Sequence, residues 1–505
     1  MKKIFIKTYG CQMNERDSEA VAALLQARGY AMAGSEQDAD VILLNTCSIR
    51  DLAEQKAIGK MRMLVELKRH NPDLVLGFMG CMAQSRGEQL LEKQSAVDLV
   101  VGTQKFHRVP DYVDQLLTRK KRAGGTGVSA CADSDTTDTG TEACATNSDE
   151  KLRVPFRIVD IAEEPGSESA IRDHVLETAD GRQITALVSI MQGCDMHCTF
   201  CVVPSVRGEE RSRPIPEIVE EVERLVAAGV REVTLLGQIV TSYGRKTMAK
   251  KDGKTPFVQL LEAVHKVNGL ERIRFTSPHP KGFGDDLVAA YRDLPKLCEH
   301  AHLPVQSGST RVLKLMRRGY SREGYLRIVE KLRGMKPQIG ITTDIIVGFP
   351  GETEEDFEQT ASLMREVQFD QAYIFKYSPR RDTPAAEMHD RLSDKVKGTR
   401  HQILLNALDE SMLEHNQRLV GETVEVLVEG RSYKNPKRLA GRTRNNKIVM
   451  FEGPAQFIGQ LLPICIERVT VVALYGTVAE RRVATEPRTS SGQVSLLRPE
   501  RICIA

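Results

Sequence analysis

The chain has 505 residues, of which 41% are hydrophobic and 28% charged, and its formal net charge is +3. This length exceeds what one hydrophobic core supports, so we expect two to four globular domains. The charge is too small to indicate nucleic-acid binding by itself. Lys7 interrupts the apolar start, and no run approaches the roughly 18 apolar residues of a membrane span, so we expect neither a signal peptide nor a membrane segment. A cytoplasmic protein is expected, with its eleven cysteines reduced and used for metal binding or catalysis.

The first part of the chain, residues 1–118, alternates short apolar runs with helical patterns. Buried strands are predicted at 4–7, 41–44 and 74–78, and helices at 15–28 and 50–70. Alternation of this kind predicts an α/β domain with a doubly wound parallel sheet.

Residues 119–182 interrupt this alternation. The segment 119–150 begins with four basic residues and continues in Gly, Ser, Thr, Asp and Ala, a composition that cannot bury a core. We therefore predict a partly disordered linker at 119–150, followed by a lead-in to residue 182 without a clear pattern.

The alternation of strands and helices resumes over residues 183–416. Six strands are predicted, at 184–190, 232–238, 272–277, 300–306, 340–347 and 372–378. Helical patterns lie between them, as at 215–229, 257–267, 321–334 and 352–367. Six strands in this succession predict a partial or full (β/α) barrel, whose functional residues lie at the carboxyl ends of the strands.

The last region changes character again. Residues 423–429 alternate apolar and polar side chains, and further short strands are predicted at 447–451 and 466–474. We therefore predict a small β-barrel over 417–480, followed by a polar, basic tail at 481–505.

Three cysteines follow the first strand of the predicted barrel in the sequence GCDMHCTFC. Cys194, Cys198 and Cys201 can bind one metal centre from a single loop, and thiolate is the ligand that iron–sulfur clusters need. Three ligands on a four-iron cluster leave one iron open for chemistry. The alternatives are a zinc site completed by His197 and coincidence among eleven cysteines.

The run Cys-x3-Cys-x2-Cys resembles the signature of the radical S-adenosylmethionine superfamily. The resemblance implies that Cys194, Cys198 and Cys201 bind a [4Fe-4S] cluster whose open iron binds S-adenosylmethionine. It also implies that Phe200, the aromatic residue before the third cysteine, lies near the adenine of this cofactor.

A second set of cysteines lies in the first domain, one after each of three apolar strands. Because carboxyl ends of parallel strands share one edge of a sheet, Cys11, Cys47 and Cys81 are expected to converge there. Gly10 and Gly80 precede two of them and permit a tight turn. The sequence thus predicts a second three-thiolate metal site, and the alternative is three buried structural cysteines.

The motifs around both sets of cysteines resemble the methylthiotransferases. They are YGCQMNERDSE, NTCSIR, GCMAQ, GEERSRP, LLGQ, LPVQSGS, DIIVGFPGET and YSPRRDTPAA, which cover nearly all of residues 1–480. The resemblance implies an auxiliary [4Fe-4S] cluster on Cys11, Cys47 and Cys81 that takes part in sulfur delivery. It further implies that residues 417–480 form a TRAM domain, a small RNA-binding barrel.

A basic stretch lies within this last domain. Residues 431–447 contain seven Lys or Arg and no acidic residue, which predicts contact with RNA phosphates rather than a merely solvated loop. Arg317, Arg318, Arg380 and Arg381 lie near predicted strand ends and are expected to extend this surface.

Polar residues at the predicted strand ends are candidates for cofactor or substrate contacts. They are Gln238, Gln306, Ser307 and Thr343, and the alternative for each is a turn or cap residue. Where related tRNA enzymes more often have Asn-x-Asn, this chain has Ile239-Val240-Thr241 after Gln238, so no polar contact is predicted there.

Within the methylthiotransferases, the YGCQMN form around Cys11 favours the branch that modifies N6-isopentenyladenosine at position 37 of tRNA. That branch implies addition of a methylthio group at C2, with S-adenosylmethionine as methyl donor and radical source. Expected partners are tRNA and an electron donor such as flavodoxin or ferredoxin, and the chain is expected to be a monomer. The alternatives are a methylthiotransferase for threonylcarbamoyl-adenosine or a ribosomal-protein aspartate, and an iron–sulfur RNA-binding protein without catalysis.

Overall fold

The structure, a computed structural model, describes residues 1–48, 51–124, 156–175, 177–178, 181–389 and 392–479. It divides into two compact units: the first contains residues 1–175 and the short segment Ser205–Gly208, and the second contains the rest of the described chain. Most of the predicted linker and the whole predicted tail at 481–505 lie outside the described residues. Across the described ranges, no helix is long and apolar enough to cross a membrane.

The first unit is built on one parallel sheet with the strand order β2-β1-β3-β4-β5-β6. Its strands are β1 (Lys3–Tyr9), β2 (Ala31–Met32), β3 (Val41–Thr46), β4 (Val75–Met79), β5 (Leu99–Val101) and β6 (Ile158–Asp160). Its helices are α1 (Gln12–Ala27), α2 (Asp51–His70), α3 (Cys81–Arg86), α4 (Gln89–Lys93) and α5 (Val109–Gly124).

Both faces of this sheet are covered. Val41 and Leu43 of β3 pack in one cluster with residues of α1 and α5, whereas Ile42 and Leu44 pack in another with residues of α2. Successive side chains of a strand point to opposite faces, and each fully buried one stabilises the fold by about 1.5–3 kcal/mol. The prediction of a doubly wound α/β domain is therefore confirmed.

The first unit extends further along the chain than the predicted boundary at residue 118. Helix α5 continues to Gly124, and β6 from the predicted lead-in pairs with β5 at the edge of the sheet. This lead-in has no clear pattern in the sequence, and the structure places the short strand β6 there. A strand of three residues is too short for its periodicity to be recognised in a sequence.

The second unit contains two parallel three-stranded sheets, ordered β13-β12-β9 and β14-β15-β16. Its strands before the last domain are β7 (Glu177–Thr178), β8 (Gly181–Arg182), β9 (Thr185–Ser189), β10 (Met191–Gln192), β11 (Arg211–Ser212), β12 (Glu232–Leu236), β13 (Arg272–Phe275), β14 (His300–His302), β15 (Gly340–Val347) and β16 (Gln371–Lys376). The helices that begin after Cys201 are α6 (Val203–Arg207), α7 (Ile215–Ala227), α8 (Pro256–His265), α9 (Asp285–Asp293), α10 (Thr310–Leu315), α11 (Arg322–Arg333), α12 (Glu354–Val367), α13 (Pro384–Glu387) and α14 (Asp394–Gln417). One apolar cluster joins the strands of both sheets to helices α7, α8, α9, α11, α12 and α14, and all six predicted strands are present.

The last domain is a closed five-stranded barrel with the order β17-β18-β19-β21-β20. Its strands are β17 (Thr423–Arg431), β18 (Arg438–Thr443), β19 (Ile448–Glu452), β20 (Leu461–Val469) and β21 (Ala473–Val478). The predicted barrel is confirmed, with two corrections. The basic stretch contains strand β18, and the strand predicted at 466–474 is two strands separated by a turn at 470–472.

Buried arginines attach this barrel to the rest of the second unit. Arg272 is fully buried and donates to the carbonyl oxygen of Arg442 at 2.8 Å and to a carboxylate oxygen of Glu425 at 2.9 Å. Arg274 donates to the carbonyl oxygens of Arg444 and Thr443, each at 2.8 Å. These bonds explain why the buried strand β13 carries two arginines, since the barrel supplies acceptors for their charged donors.

We expect Arg274→Met to destabilise the second unit by about 3–5 kcal/mol, because it removes the nearer partner of the buried Glu232, at 2.9 Å, and leaves the more distant Arg272, at 3.9 Å. Chemical denaturation followed by circular dichroism measures the shift in midpoint. Arg468→Met is the matched control, since Arg468 is exposed and stacks on Tyr475 at 3.9 Å, a contact worth about 0.5–1 kcal/mol. Equal shifts in the two variants would contradict the structural role of Arg274.

Candidate metal centres and nucleic-acid interface

The N-terminal triad, Cys11, Cys47 and Cys81, lies at one edge of the first sheet. Its members follow β1, β3 and β4, which are direct neighbours, and the pairs Tyr9–Thr46 and Asn45–Met79 bring the strand ends level. The predicted convergence of the three strand ends is confirmed. Strand order also reverses between β1 and β3, the position where sheets of this kind bind ligands.

The glycines before two of these cysteines have a steric reason. A Cβ atom on Gly80 would lie 2.2 Å from the side-chain oxygen of Asn45, and φ of Gly80 is 94°, a left-handed value that favours glycine. A Cβ atom on Gly10 would lie 2.9 Å from the Cβ of Cys47. Only glycine lets the backbone approach the neighbouring strand end this closely.

Two buried asparagines fix the backbone around the N-terminal triad. The Asn14 amide donates to Asn45 Oδ1 at 3.0 Å, and the Asn45 amide donates back to the Asn14 carbonyl oxygen at 2.8 Å. The Cys11 thiol donates to Asn14 Oδ1 at 3.3 Å. Sequence reasoning missed both residues, although each lies within three positions of a cysteine.

The thiols of this triad differ in acidity. A hydrogen bond with the Cys47 thiol, followed by the positive charge of Arg207, lowers the pKa of the Cys11 thiol to about 6. Burial raises the pKa of the Cys81 thiol, and Arg207 opposes this effect. Because thiolate is the form that binds metal, Cys11 is prepared for ligation at neutral pH, and Cys81 has to lose its proton when a metal binds.

The signature triad, Cys194, Cys198 and Cys201, lies on the loop after β9 and β10. Gly193 precedes it with φ of 80°, and the Thr199 hydroxyl donates to the Leu315 carbonyl oxygen at 2.9 Å, which anchors the loop to the end of α10. Cys194 and Cys198 are buried. Cys194 also packs against Ile239, so the apolar residue that departs from the family pattern lies beside this triad.

Burial dominates the acidity of two of these thiols, raising the pKa of Cys194 to about 11 and that of Cys201 to about 12. Arg318 is buried and its guanidinium donates to the Cys198 sulfur at 3.4 Å. The prediction that Arg318 extends an RNA-binding surface was wrong, because its side chain points to a thiol and not to solvent.

The predicted cofactor contacts have different surroundings. Phe200 meets Phe349 edge to face at 6.4 Å, within a small apolar cluster. Gln306 has a left-handed backbone with φ of 71° and bridges to β15. The Thr343 hydroxyl donates to the Leu303 carbonyl oxygen at 2.8 Å and accepts from the Val305 amide at 3.0 Å.

These bonds change the interpretation of the hydroxyl groups. Thr343 holds the loop after β14, and the buried Ser307 hydroxyl contacts Thr360 Oγ1 at 3.3 Å. Both hydroxyls have structural partners, which favours the alternative of turn and cap residues for these two positions.

Three buried polar atoms near the signature triad have no hydrogen-bond partner among the described residues. They are Gln192 Nε2 in β10, which comes directly after β9, and Gln238 Oε1 and His279 Nε2, which follow β12 and β13. Burial lowers the pKa of His279 to about 3, so its ring is neutral. Because Nδ1 accepts from the Lys281 amide, Nε2 carries the proton. Buried unpaired donors and acceptors at strand ends fit a polar ligand such as S-adenosylmethionine.

Over the described ranges, no three His, Cys, Asp or Glu side chains form a group that could hold one metal ion. Three thiolates are the donor set that a four-iron cluster with one open iron requires.

The basic stretch 431–447 divides into two groups of side chains. Four cations form ion pairs with carboxylates of their own unit: Arg438, Arg442, Arg444 and Lys447 pair with Glu452, Glu429, Glu299 and Asp370. Lys434 and Lys437 are exposed, and Tyr433 beside them is fully exposed. The predicted interface is therefore narrower than the whole stretch, because four of its cations pair with carboxylates within the protein.

Comparisons with known proteins match the three regions of the chain. Residues 3–102 match the uncharacterized protein family UPF0004, residues 188–364 match the radical SAM superfamily, and residues 417–479 match the TRAM domain. Among solved structures, the radical S-adenosylmethionine methyltransferase TsrM from Kitasatospora setae has a TM-score of 0.52 at 14% identity, over 76% of this chain and 75% of that one. This similarity supports the fold alone.

Relatives of similar length carry one name. The tRNA-2-methylthio-N(6)-dimethylallyladenosine synthase of Opitutus terrae is 50% identical over 96% of this chain and 99% of its own. The synthase of the same name from Akkermansia muciniphila is 51% identical over 95% of this chain and 100% of its own. The chain therefore belongs to the methylthiotransferases of the radical S-adenosylmethionine superfamily, in the family of the tRNA-2-methylthio-N(6)-dimethylallyladenosine synthases.

Proposed function

We propose that this chain adds a methylthio group to C2 of N6-isopentenyladenosine at position 37 of tRNA. The observation that carries this proposal is identity of 50% or more, over nearly the whole chain, to synthases named for this product. The substrate C2–H bond is too weakly acidic for a side chain to remove its proton, so the reaction needs hydrogen-atom abstraction.

The signature triad is the proposed site of this abstraction. Cys194, Cys198 and Cys201 would hold a four-iron cluster with one open iron, which would supply the electron that splits S-adenosylmethionine into methionine and a 5′-deoxyadenosyl radical. Gln238 Oε1 would accept a hydrogen bond from the polar groups of this cofactor, and His279 Nε2 would donate one to them. Arg318 offsets the charge of Cys198 at 3.4 Å. Flavodoxin or ferredoxin is the proposed electron donor.

The N-terminal triad is the proposed site of sulfur delivery. A second [4Fe-4S] cluster on Cys11, Cys47 and Cys81 fits their common edge and the low pKa of the Cys11 thiol, about 6. A cluster held there would bind the sulfur that takes its methyl group from a second S-adenosylmethionine. Asn14 and Asn45 keep the cysteine-bearing turns in place while the proton of Cys81 is lost.

The exposed part of the basic stretch is the proposed tRNA contact. Lys434 and Lys437 neutralise phosphates, and the exposed ring of Tyr433 offers a surface for base stacking. Binding then depends on salt because displaced counterions return to solution.

The substrate is tested by nucleoside mass spectrometry of tRNA from a deletion strain. We expect 2-methylthio-N6-isopentenyladenosine to disappear and N6-isopentenyladenosine to accumulate in proportion, because only the last step is lost. Complementation with the intact gene is the control. An unchanged level of 2-methylthio-N6-isopentenyladenosine, with loss of a methylthiolated threonylcarbamoyl-adenosine, would favour the alternative branch.

The division of labour between the triads is tested with Cys198→Ala and Cys47→Ala. Cys198→Ala is expected to abolish release of 5′-deoxyadenosine, by at least about 100-fold, since an open-iron cluster needs three thiolates. Cys47→Ala is expected to retain cofactor cleavage and to lose methylthiolation. Cys298→Ala, a buried cysteine outside both triads, is the control. Equal loss of cofactor cleavage and of methylthiolation in both variants would contradict the separate roles of the triads. A wild-type chain that never cleaves the cofactor would favour the alternative of an RNA-binding protein without catalysis.

The RNA contact is tested with the double variant Lys434→Gln, Lys437→Gln. We expect weaker tRNA binding at all sequences, and a slope of log affinity against log salt that falls by about 1.4–1.8 for two lost phosphate contacts. Lys250→Gln, Lys251→Gln is the matched control, since both lysines are exposed in the second unit and lie outside the basic stretch. An unchanged slope in the first variant, measured by filter binding between about 50 and 200 mM salt, would contradict this contact.

A further inference from the structure

A short segment after the signature triad belongs to the first unit. Ser205–Gly208 is grouped with residues 1–175, although the chain on both sides of it belongs to the second unit. The Thr103 hydroxyl donates to the Val206 carbonyl oxygen at 2.7 Å, and both groups are buried. This anchor carries the next residue, Arg207, into the first unit.

Arg207 forms a buried ion pair there. Its Nη2 atom lies 2.6 Å from Asp17 Oδ2, and only 4% and 1% of the two side chains are exposed. Removing two charges from water costs several kcal/mol for each ion, which a pair of this kind repays only with good geometry and further hydrogen bonds. A contribution to stability alone is therefore a weak reason for this arginine.

The polar atoms of this ion pair are not all hydrogen-bonded. Arg207 Nη1 and Asp17 Oδ1 are both buried, and neither has a hydrogen-bond partner among the described residues. Buried charged donors normally have partners, so an unpaired one requires an explanation.

The surroundings of Arg207 supply that explanation. Its positive charge acts on the Cys11 and Cys81 thiols, lowering the pKa of each from what burial alone would give. The cation is thus close to two of the three proposed ligands and forms a hydrogen bond with the Cys81 thiol, while its Nη1 group has no partner among the described residues. A group with negatively charged sulfur atoms is the partner that fits this donor.

We propose that Arg207, held by Asp17, is a positioning residue that sets the charge around the cluster on the N-terminal triad and raises its reduction potential. This inference rests on the proposed function, which places a cluster on Cys11, Cys47 and Cys81. Net charge and hydrogen bonds to sulfur both tune the potential of iron–sulfur clusters. A guanidinium stabilises the reduced, more negative state more than the oxidised state.

The experiment isolates one cluster in the full chain. A background with Cys194, Cys198 and Cys201 replaced by alanine is reconstituted without oxygen, and iron is counted. The midpoint potential is then measured by an electron paramagnetic resonance titration. Arg207→Gln, Arg207→Lys and Asp17→Asn are compared in this background. Arg400→Gln is the control, because Arg400 forms an equally buried pair with Glu352 at 2.6 Å in the second unit.

The midpoint potential is expected to shift in opposite directions when Arg207 is replaced by Gln and when Asp17 is replaced by Asn. Arg207→Gln should lower the potential by about 59 mV or more, a tenfold change for one electron, and weaken iron retention against a chelator by about 10–100-fold. Asp17→Asn should raise the potential, because it removes the counter-charge of Arg207. Arg207→Lys should retain most of the wild-type potential, and Arg400→Gln all of it.

A purely structural pair would give a different result. Shifts of the same sign in Arg207→Gln and Asp17→Asn, or an unchanged potential in Arg207→Gln, would overturn the inference. If Arg207→Gln retains no cluster, Asp17→Asn decides alone: a higher potential supports the inference, and an equal or lower one overturns it. Absence of iron from the unmutated background would instead contradict the proposed function.

Discussion

The chemistry of this chain depends on one geometric constraint, that neighbouring parallel strands end at the same edge of a sheet. Residues far apart in sequence meet there whenever each follows its strand directly. The N-terminal triad uses β1, β3 and β4 in this way. The unpaired atoms of Gln192, Gln238 and His279 lie beyond the carboxyl ends of the neighbouring strands β9, β12 and β13. The hydrophobic cores position these edges and accept different apolar side chains. The residues at the edges are more restricted, since a Cβ atom on Gly80 would lie 2.2 Å from the side-chain oxygen of Asn45.

The buried arginines of this protein have two kinds of surroundings. Arg272 and Arg274 direct donors to carbonyl oxygens of the β-barrel, so their contacts attach one domain to the next. Arg207 and Arg318 instead lie beside thiols, and each triad thus has one buried cation next to it. A desolvated charge acts strongly on its surroundings because little water screens it. The difference lies in the neighbours: Arg207 and Arg318 act on thiols of the two triads, whereas Arg272 and Arg274 donate to the β-barrel.

The features that depend on local sequence patterns could be predicted from the sequence. Three cysteines after apolar runs, and three within one loop, required only strand recognition and the rule for parallel edges. The positions of Arg207 and Arg318 beside the triads were not predicted, because their partners Asp17 and Cys198 lie 190 and 120 positions away. The basic stretch was read as one surface because sequence does not reveal that Glu299 and Asp370 neutralise Arg444 and Lys447. Short strands such as β6 carried too little periodicity to be seen.

The central claim is that this chain carries two iron–sulfur clusters on two separate triads. Its most direct test is Mössbauer spectroscopy with iron and sulfide determination on the wild-type chain, purified and reconstituted without oxygen. The account predicts roughly eight irons per chain, all in [4Fe-4S] form, with one iron of each cluster lacking a thiolate ligand. Roughly four irons per chain at full reconstitution would contradict it, because the N-terminal triad would then be a set of structural cysteines.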